Sequence, residues 1–207
     1  VTGVQTCALP IFAFAVGPFD VVDAGTAGRA ATPIRAVVPR GEGPWAGELL
    51  RRTGPILATL EEYFDLPYPY PKLDIVSIPL TVAFGAMENP GLVTCAREVC
   101  LSRPEDDTLA RQRDAAATIA HELAHQRFCD LVTPRWWDDI WLNESFATWM
   151  ENRLTQTLEP TWHAGRTHGR SGAVTVIQRF GSAVNLNLHF HIVHLDGLFD
   201  QIGRAHV

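Results

Sequence analysis

Lysine is nearly absent: Lys72 is the single Lys among seventeen basic residues, and the rest are Arg. With Ala, Gly and Pro abundant, that skew points to a GC-rich coding sequence of bacterial type. Cysteine is scarce too. Cys7, Cys95, Cys100 and Cys129 show neither C-x-x-C spacing nor the density of a disulfide framework, so reduced, structural cysteines are expected. Long apolar runs are missing. The stretch at 8–17 is broken by Pro10, is too short to span a bilayer and has no basic segment before it, so neither a membrane span nor a signal peptide is read here. Positive charge is not in excess either, and a formal net charge of -6 leaves no overall electrostatic footprint for nucleic acid. What remains is 46% hydrophobic and 19% charged, the balance of a soluble folded protein. At 207 residues the chain holds one domain with a sizeable core, or pieces of two.

The two ends read as artefacts. Ile202 to Val207 can be encoded by ATCGGAAGAGCACACGTC, which resembles a sequencing adapter. Its reverse complement, read from the second base, encodes Thr-Cys-Ala-Leu-Pro-Ile, the sequence of Thr6 to Ile11. Residues 1–11 and 202–207 are therefore expected to be adapter-derived and are given no role. There is no initiating Met, and the chain is expected to be a fragment.

Between the ends, residues 12–22 read as part of a β region bounded by Gly17, Pro18 and Gly25, and Pro33 to Pro39 enclose one more strand. Apolar residues at Leu49, Leu50, Ile56, Leu57, Leu60 and Phe64 give a helical period after the Gly41 to Pro44 turn, with Gly54 and Pro55 either kinking or starting the helix. Pro67-Tyr68-Pro69-Tyr70-Pro71 is an extended spacer, because each Pro disfavours the helical region for its predecessor. Strands are expected at 73–78 and 92–95. A helix should follow from about Asp106 to about Phe128, started by Pro104 and its acidic neighbours. Asn143 is the expected cap of another, running to about Leu158 with Phe146, Met150 and Leu154 on one face.

His121-Glu122-Leu123-Ala124-His125 places two imidazoles one turn apart on a helix face, where both can reach one ion. A catalytic zinc takes three protein ligands and keeps one position open. Glu144 is the expected third ligand, since 18 intervening residues let the helix end, turn at Pro134 and return as an antiparallel neighbour. Glu122, not needed as a ligand, is left as general base for an attacking water. An isolated H-E-x-x-H also fits a helix with two surface histidines and a solvated Glu; the helical context and Glu144 argue against that.

Gly85-Ala86-Met87-Glu88-Asn89, then His121 to His125, then Trp136 to Ala147 with Asn143-Glu144, resemble in order and spacing the zinc aminopeptidases of the aminopeptidase N family, over residues 12–163. The resemblance implies an α/β (α+β) fold, a thermolysin-like zinc-peptidase core at 41–165, incomplete, preceded at 12–40 by the end of an all-β domain. It implies one Zn²⁺ per chain on His121, His125 and Glu144, with Glu122 activating water. Gly85, Ala86, Met87, Glu88 and Asn89 would bind substrate, Glu88 pairing with the free α-ammonium of a peptide; alone, Glu88 would read as an ordinary exposed carboxylate. The implied partners are peptides with a free N-terminus, with no nucleic acid expected for the main domain. Localisation and oligomeric state stay open, the cytoplasm being slightly favoured for a bacterial parent.

Two departures stand out. Where the family has Gln-Trp-Phe-Gly, this chain reads Gln126-Arg127-Phe128-Cys129, which puts the packing behind the zinc helix in question. The family's oxyanion-stabilising Tyr lies well downstream of the Glu ligand, whereas here no Tyr follows Tyr70; losing one such donor costs about 10² to 10³ in rate. From about Ser171 to 201 the text resembles a rolling-circle transposase of the His-hydrophobe-His type, with His189 and His191 on one face of an amphipathic strand. That segment leaves open an inactive chimaera or a metal-dependent DNA-nicking fragment. His189 and His191 are not assigned to the site.

Overall fold

The computed structural model describes residues 13–79, 85–139 and 141–163, and short strands at 173–178, 189–194, 198–199 and 205–206. Ile140 of the sequence motifs lies outside the described residues, as do 1–11 and much of 171–207. The chain divides into two compact units, 1–159 and 160–207.

The first unit is built on a mixed sheet of β1 (Phe19–Ala27), β2 (Thr32–Pro39), β3 (Leu73–Ile78), β4 (Ala86–Met87) and β5 (Leu92–Ala96), in the order β1-β2-β3-β5-β4. The three middle strands run parallel, while β1 and β4 close the two sides antiparallel. β2 pairs with β3 from Ile34↔Leu73 to Val37↔Val76, so the 12–40 segment contributes two strands to the sheet that carries the site. Five of the six residues of β3 are buried, as a central parallel strand covered on both faces requires. In β2 Thr32, Ile34, Ala36 and Val38 alternate inward. Arg35 and Asp74 face each other across the β2–β3 register, joined by two hydrogen bonds of 2.7 and 2.8 Å.

Helices α1 (Gly47–Phe64), α3 (Leu109–His125) and α4 (Trp141–Leu158) supply the rest of the core, and a single turn, α2 (Arg97–Cys100), follows β5. Their buried positions recur at three- and four-residue spacing: Leu49, Ile56, Leu57 and Leu60 on α1, Ala116, Ile119, Ala120 and Leu123 on α3, Ala147, Met150 and Leu154 on α4. Pro55 lies inside α1, which runs through it. α3 starts later than its acidic residues suggest, because Pro104–Asp106 form a 3-10 turn and the Thr108 side chain caps the helix by accepting from the Arg111 N–H. α4 starts earlier, at Trp141, which puts Asn143 inside the first turn and buried rather than at the cap.

One glycine is dictated by contact. Gly28, in the β1–β2 turn at φ +74°, approaches α1 so closely that a Cβ there would lie 2.5 Å from Leu57 Cδ2 and 2.7 Å from both Glu61 carboxylate oxygens. The buried Glu61 carboxylate accepts from the Arg29 N–H at 2.6 Å and from the Tyr68 N–H at 2.5 Å, tying that turn, α1 and the Pro-Tyr spacer together.

In the second unit β6 (Ala173–Gln178) pairs antiparallel with β7 (His189–His194), and β8 (Leu198–Phe199) with β9 (Ala205–His206). Among the described residues no helix is long and apolar enough to cross a membrane.

Leu57, 1% exposed, sits at the centre of the α1 contact. Leu57→Ala is expected to lower unfolding stability by about 2–5 kcal/mol, whereas Leu131→Ala, at a side chain 51% exposed, should change it by less than about 0.5 kcal/mol. Urea titration of both variants measures the contrast.

Candidate functional site

The site begins with α3 and α4 lying side by side in opposite directions. Along α3 His121 and then His125 come up, and they meet Glu151 and Glu144 of α4 in reverse order. Ala120, Leu123 and Ala124 fill the buried face of α3, which turns both imidazoles toward α4. Glu144 is in the first turn of α4, and its side chain is 54% exposed.

The three candidate ligand atoms form a triangle. Nε2 of His121 and Nε2 of His125 are 3.0 Å apart, and Oε2 of Glu144 is 3.2 Å from the first and 3.7 Å from the second. Tetrahedral zinc with ligand distances of about 2.1 Å sets its ligand atoms about 3.4 Å apart. The observed sides bracket that value, so donor chemistry and spacing both fit a metal of the zinc type.

The opposite ring nitrogens are held as well. Nδ1–H of His125 donates to the Phe128 carbonyl at 3.3 Å, and Nδ1–H of His121 donates to Glu151 Oε2 at 3.2 Å. Each bond fixes a tautomer that frees Nε2 for a metal. Sequence reasoning missed Glu151. Its signal was the spacing from Glu144: seven residues, two turns on, place it on the same face of α4.

Burial disfavours charge on His121, but its hydrogen bonds to Glu144 and Glu151 outweigh that and raise it to about 10. His125 is raised against the same burial by Glu144 and Glu88. The hydrogen bond from His121 and the nearby His125 hold the Glu144 carboxyl far below the usual carboxylate range. Glu122 moves the other way. Burial pushes it up to about 7, with Glu88 and Glu144 adding to the rise and the two histidines opposing it. It lines the same cleft as His121 and Glu151.

The five strand residues separate. Gly85 and Ala86, with Thr118, His121, Glu122 and Glu151, line an open cleft of about 450 Å³. Ala86 and Met87 are β4, paired with Cys95 and Thr94. Glu88 and Asn89 lie past the strand and are buried. Glu88 Oε1 is 4.0 Å from His125 Nδ1 and has no hydrogen-bond partner among the described residues. A buried carboxylate oxygen left in this way still has room for an N–H donor.

The departures after His125 have physical accounts. Arg127 reaches out of the helix end to the carbonyls of Leu66 and Pro67, and burial lowers its pKa. Phe128 stacks on Phe146 at 3.8 Å between ring centroids, so the packing behind the metal helix is aromatic despite Arg127. Cys129 has φ 121°, a region L side chains rarely adopt, which explains the family's Gly and makes Cys129 a strained occupant. Cys95 and Cys100 were expected to be reduced, yet they form a disulfide across a Cα separation of 6.1 Å, brought within bonding range by the turn from β5 into α2.

The peptidase family M1 domain matches residues 49–191. The chain is 38% identical to aminopeptidase M1-C of Oryza sativa subsp. japonica over 93% of its length, which is 22% of that protein. It is 42% identical to aminopeptidase Ey of Gallus gallus, covering 73% of this chain and 15% of the relative. With aminopeptidase N of Lactococcus lactis subsp. cremoris strain MG1363 the identity is 43%, over 66% of this chain and 16% of the relative. The chain thus spans between 15% and 22% of the length of these relatives. The family match continues to residue 191, past Ser171, from which a resemblance to a transposase was expected.

Ligand nitrogens have to lose their protons before a metal binds. With His121 raised to about 10, metal uptake at pH 7 is expected to release about one proton per site. Calorimetric titration in buffers of different ionisation enthalpy measures this, and a heat independent of buffer would contradict the protonated triad.

Proposed function

Because the chain belongs to peptidase family M1, we propose that it is the metal-binding part of a zinc aminopeptidase, one that hydrolyses the first peptide bond of peptides with a free N-terminus. The observation that carries this reading is the triangle of His121 Nε2, His125 Nε2 and Glu144 Oε2, with sides between 3.0 and 3.7 Å. The relatives are all named aminopeptidases, which supports the reaction class.

His121, His125 and Glu144 would hold one zinc. The chemistry that zinc supplies when bound is Lewis acidity toward the scissile carbonyl and the attacking water. Glu122, beside the cleft, takes the proton of the attacking water and passes it to the amine nitrogen that leaves; its rise to about 7 suits both halves of that transfer. Ala86 begins the outer strand of the described sheet, with Gly85 just before it, where an extended peptide can run alongside. Glu88 supplies the anchor for the substrate's α-ammonium. Its Oε1, free of hydrogen bonds among the described residues, offers a charge-assisted hydrogen bond close to the metal triad, and this anchor favours cleavage at the end of a chain over cleavage within it.

Reconstitution with zinc is expected to give one ion per wild-type chain and none in His121→Ala, by elemental analysis after gel filtration. Glu122→Gln should keep the zinc and lose about 10² to 10⁴ in turnover of an aminoacyl anilide. Failure of the wild type to hold zinc, or equal retention by His121→Ala, overturns the proposal.

A further inference from the structure

A primary amide buried without water has to find partners for two N–H groups and two acceptor sites. Gln126, the residue after the second metal-triad histidine, is 0% exposed and finds them all. Its Oε1 accepts from the Tyr68 hydroxyl and from the Gly91 N–H, both at 2.9 Å. Its Nε2 donates to the carbonyls of Glu88 and Asn89, at 2.5 and 3.4 Å, and to Asp130 Oδ2 at 3.0 Å. Every atom facing Nε2 is an acceptor and every group facing Oε1 is a donor, which leaves the amide one orientation.

Three of these partners belong to the short turn that joins β4 to β5. That turn is closed by its own bond from the Leu92 N–H to the Asn89 carbonyl, at 2.9 Å. The carbonyls of Glu88 and Asn89 and the N–H of Gly91 are held from outside the sheet by one side chain of the metal helix. Tyr68 secures that side chain from behind: its ring packs edge-on against Tyr70 at 5.5 Å, its N–H is held by Glu61, and burial raises its hydroxyl pKa well above the ordinary value. The Pro-Tyr-Pro-Tyr-Pro spacer thereby acquires a role.

We propose that Gln126, backed by Tyr68, is a latch that fixes the Glu88 turn against the metal helix and so sets the distance between the carboxylate that recognises the substrate amine and the metal. Gln126 touches neither metal nor substrate and is a positioning residue. The inference rests on the aminopeptidase reading above. Sequence position explains the economy of the arrangement: His125 and Gln126 are consecutive, so the metal ligand and the latch share one turn of backbone.

The test uses the full 207-residue chain loaded with zinc, and two probes, leucine hydroxamate and N-acetyl-leucine hydroxamate, which differ only in the free amine. The wild type is expected to bind the first more tightly. Gln126→Met, close in shape but without polar atoms, should keep its zinc and its affinity for the acetylated probe, while the preference for the free amine falls about tenfold, the worth of roughly one hydrogen bond. Amide exchange gives a readout independent of ligand: the Gly91 N–H should exchange at least about tenfold faster in the variant, with the N–H of Val93 in the sheet unchanged. If Gln126→Met does not fold, Tyr68→Phe, which removes one hydroxyl, should show the same pattern at about threefold. A zinc-bound variant with undiminished preference and a protected Gly91 overturns the latch alone. A zinc-bound wild type that does not distinguish the probes overturns the aminopeptidase reading and the positioning role with it.

Discussion

The site depends on how closely α3 can lie against α4. Ala120, Leu123 and Ala124 of α3 and Ala147, Met150 and Leu154 of α4 are buried in one core cluster, and small alanines on both helices let them approach. The polar groups sit where this apolar contact gives out. There the balance of charge is lopsided: Glu88, Glu122, Glu144 and Glu151 gather around two imidazoles. Protons taken up by His121 and Glu122 compensate part of the excess, as their raised pKa values express. A divalent cation in the triangle would take over this compensation as the His121 proton leaves.

Much of this frame could be read in the sequence, and the exceptions follow a pattern. β3 is found at 73–78 as expected, because a continuous buried run has no competing period. Helix starts moved: the Thr108 cap sets the start of α3 beyond its acidic signal, and α4 opens at Trp141, ahead of Asn143. β1 runs Phe19–Ala27, through Gly25, which the sequence offered as a boundary; at φ +79° that glycine instead sits in the register shift between Asp23 and Thr26. The triad could be read because its geometry is written in one helix plus one spacing. Glu151, Gln126 and the Cys95–Cys100 bond could not, since each gets its meaning from a partner or turn that residue type alone does not announce.

Two buried polar side chains act as joints of this unit. Glu61 gathers the N–H groups of Arg29 and Tyr68, and Gln126 gathers Tyr68, Gly91 and the carbonyls past β4. Both meet at Tyr68, one through its backbone and one through its hydroxyl. Loops that would otherwise be held by weak local bonds are thereby referred back to helices, and buried networks of this kind specify one arrangement when every member is satisfied. Arg127 extends the same logic, fastening the carbonyls of Leu66 and Pro67 to the end of α3.

The outer strand β4 is two residues long, Ala86–Met87. An unpaired strand edge invites other copies of the chain to add to the sheet, and natural proteins blunt such edges by keeping them short. Two residues provide too few rungs for a second protein to zip onto, but enough for one passing peptide unit. Beyond them Glu88 turns inward, and the ladder stops. If a peptide runs along this edge, as the proposed function has it, the same brevity that guards against self-assembly would act as a ruler, admitting the tip of a chain where a longer strand would embrace its middle.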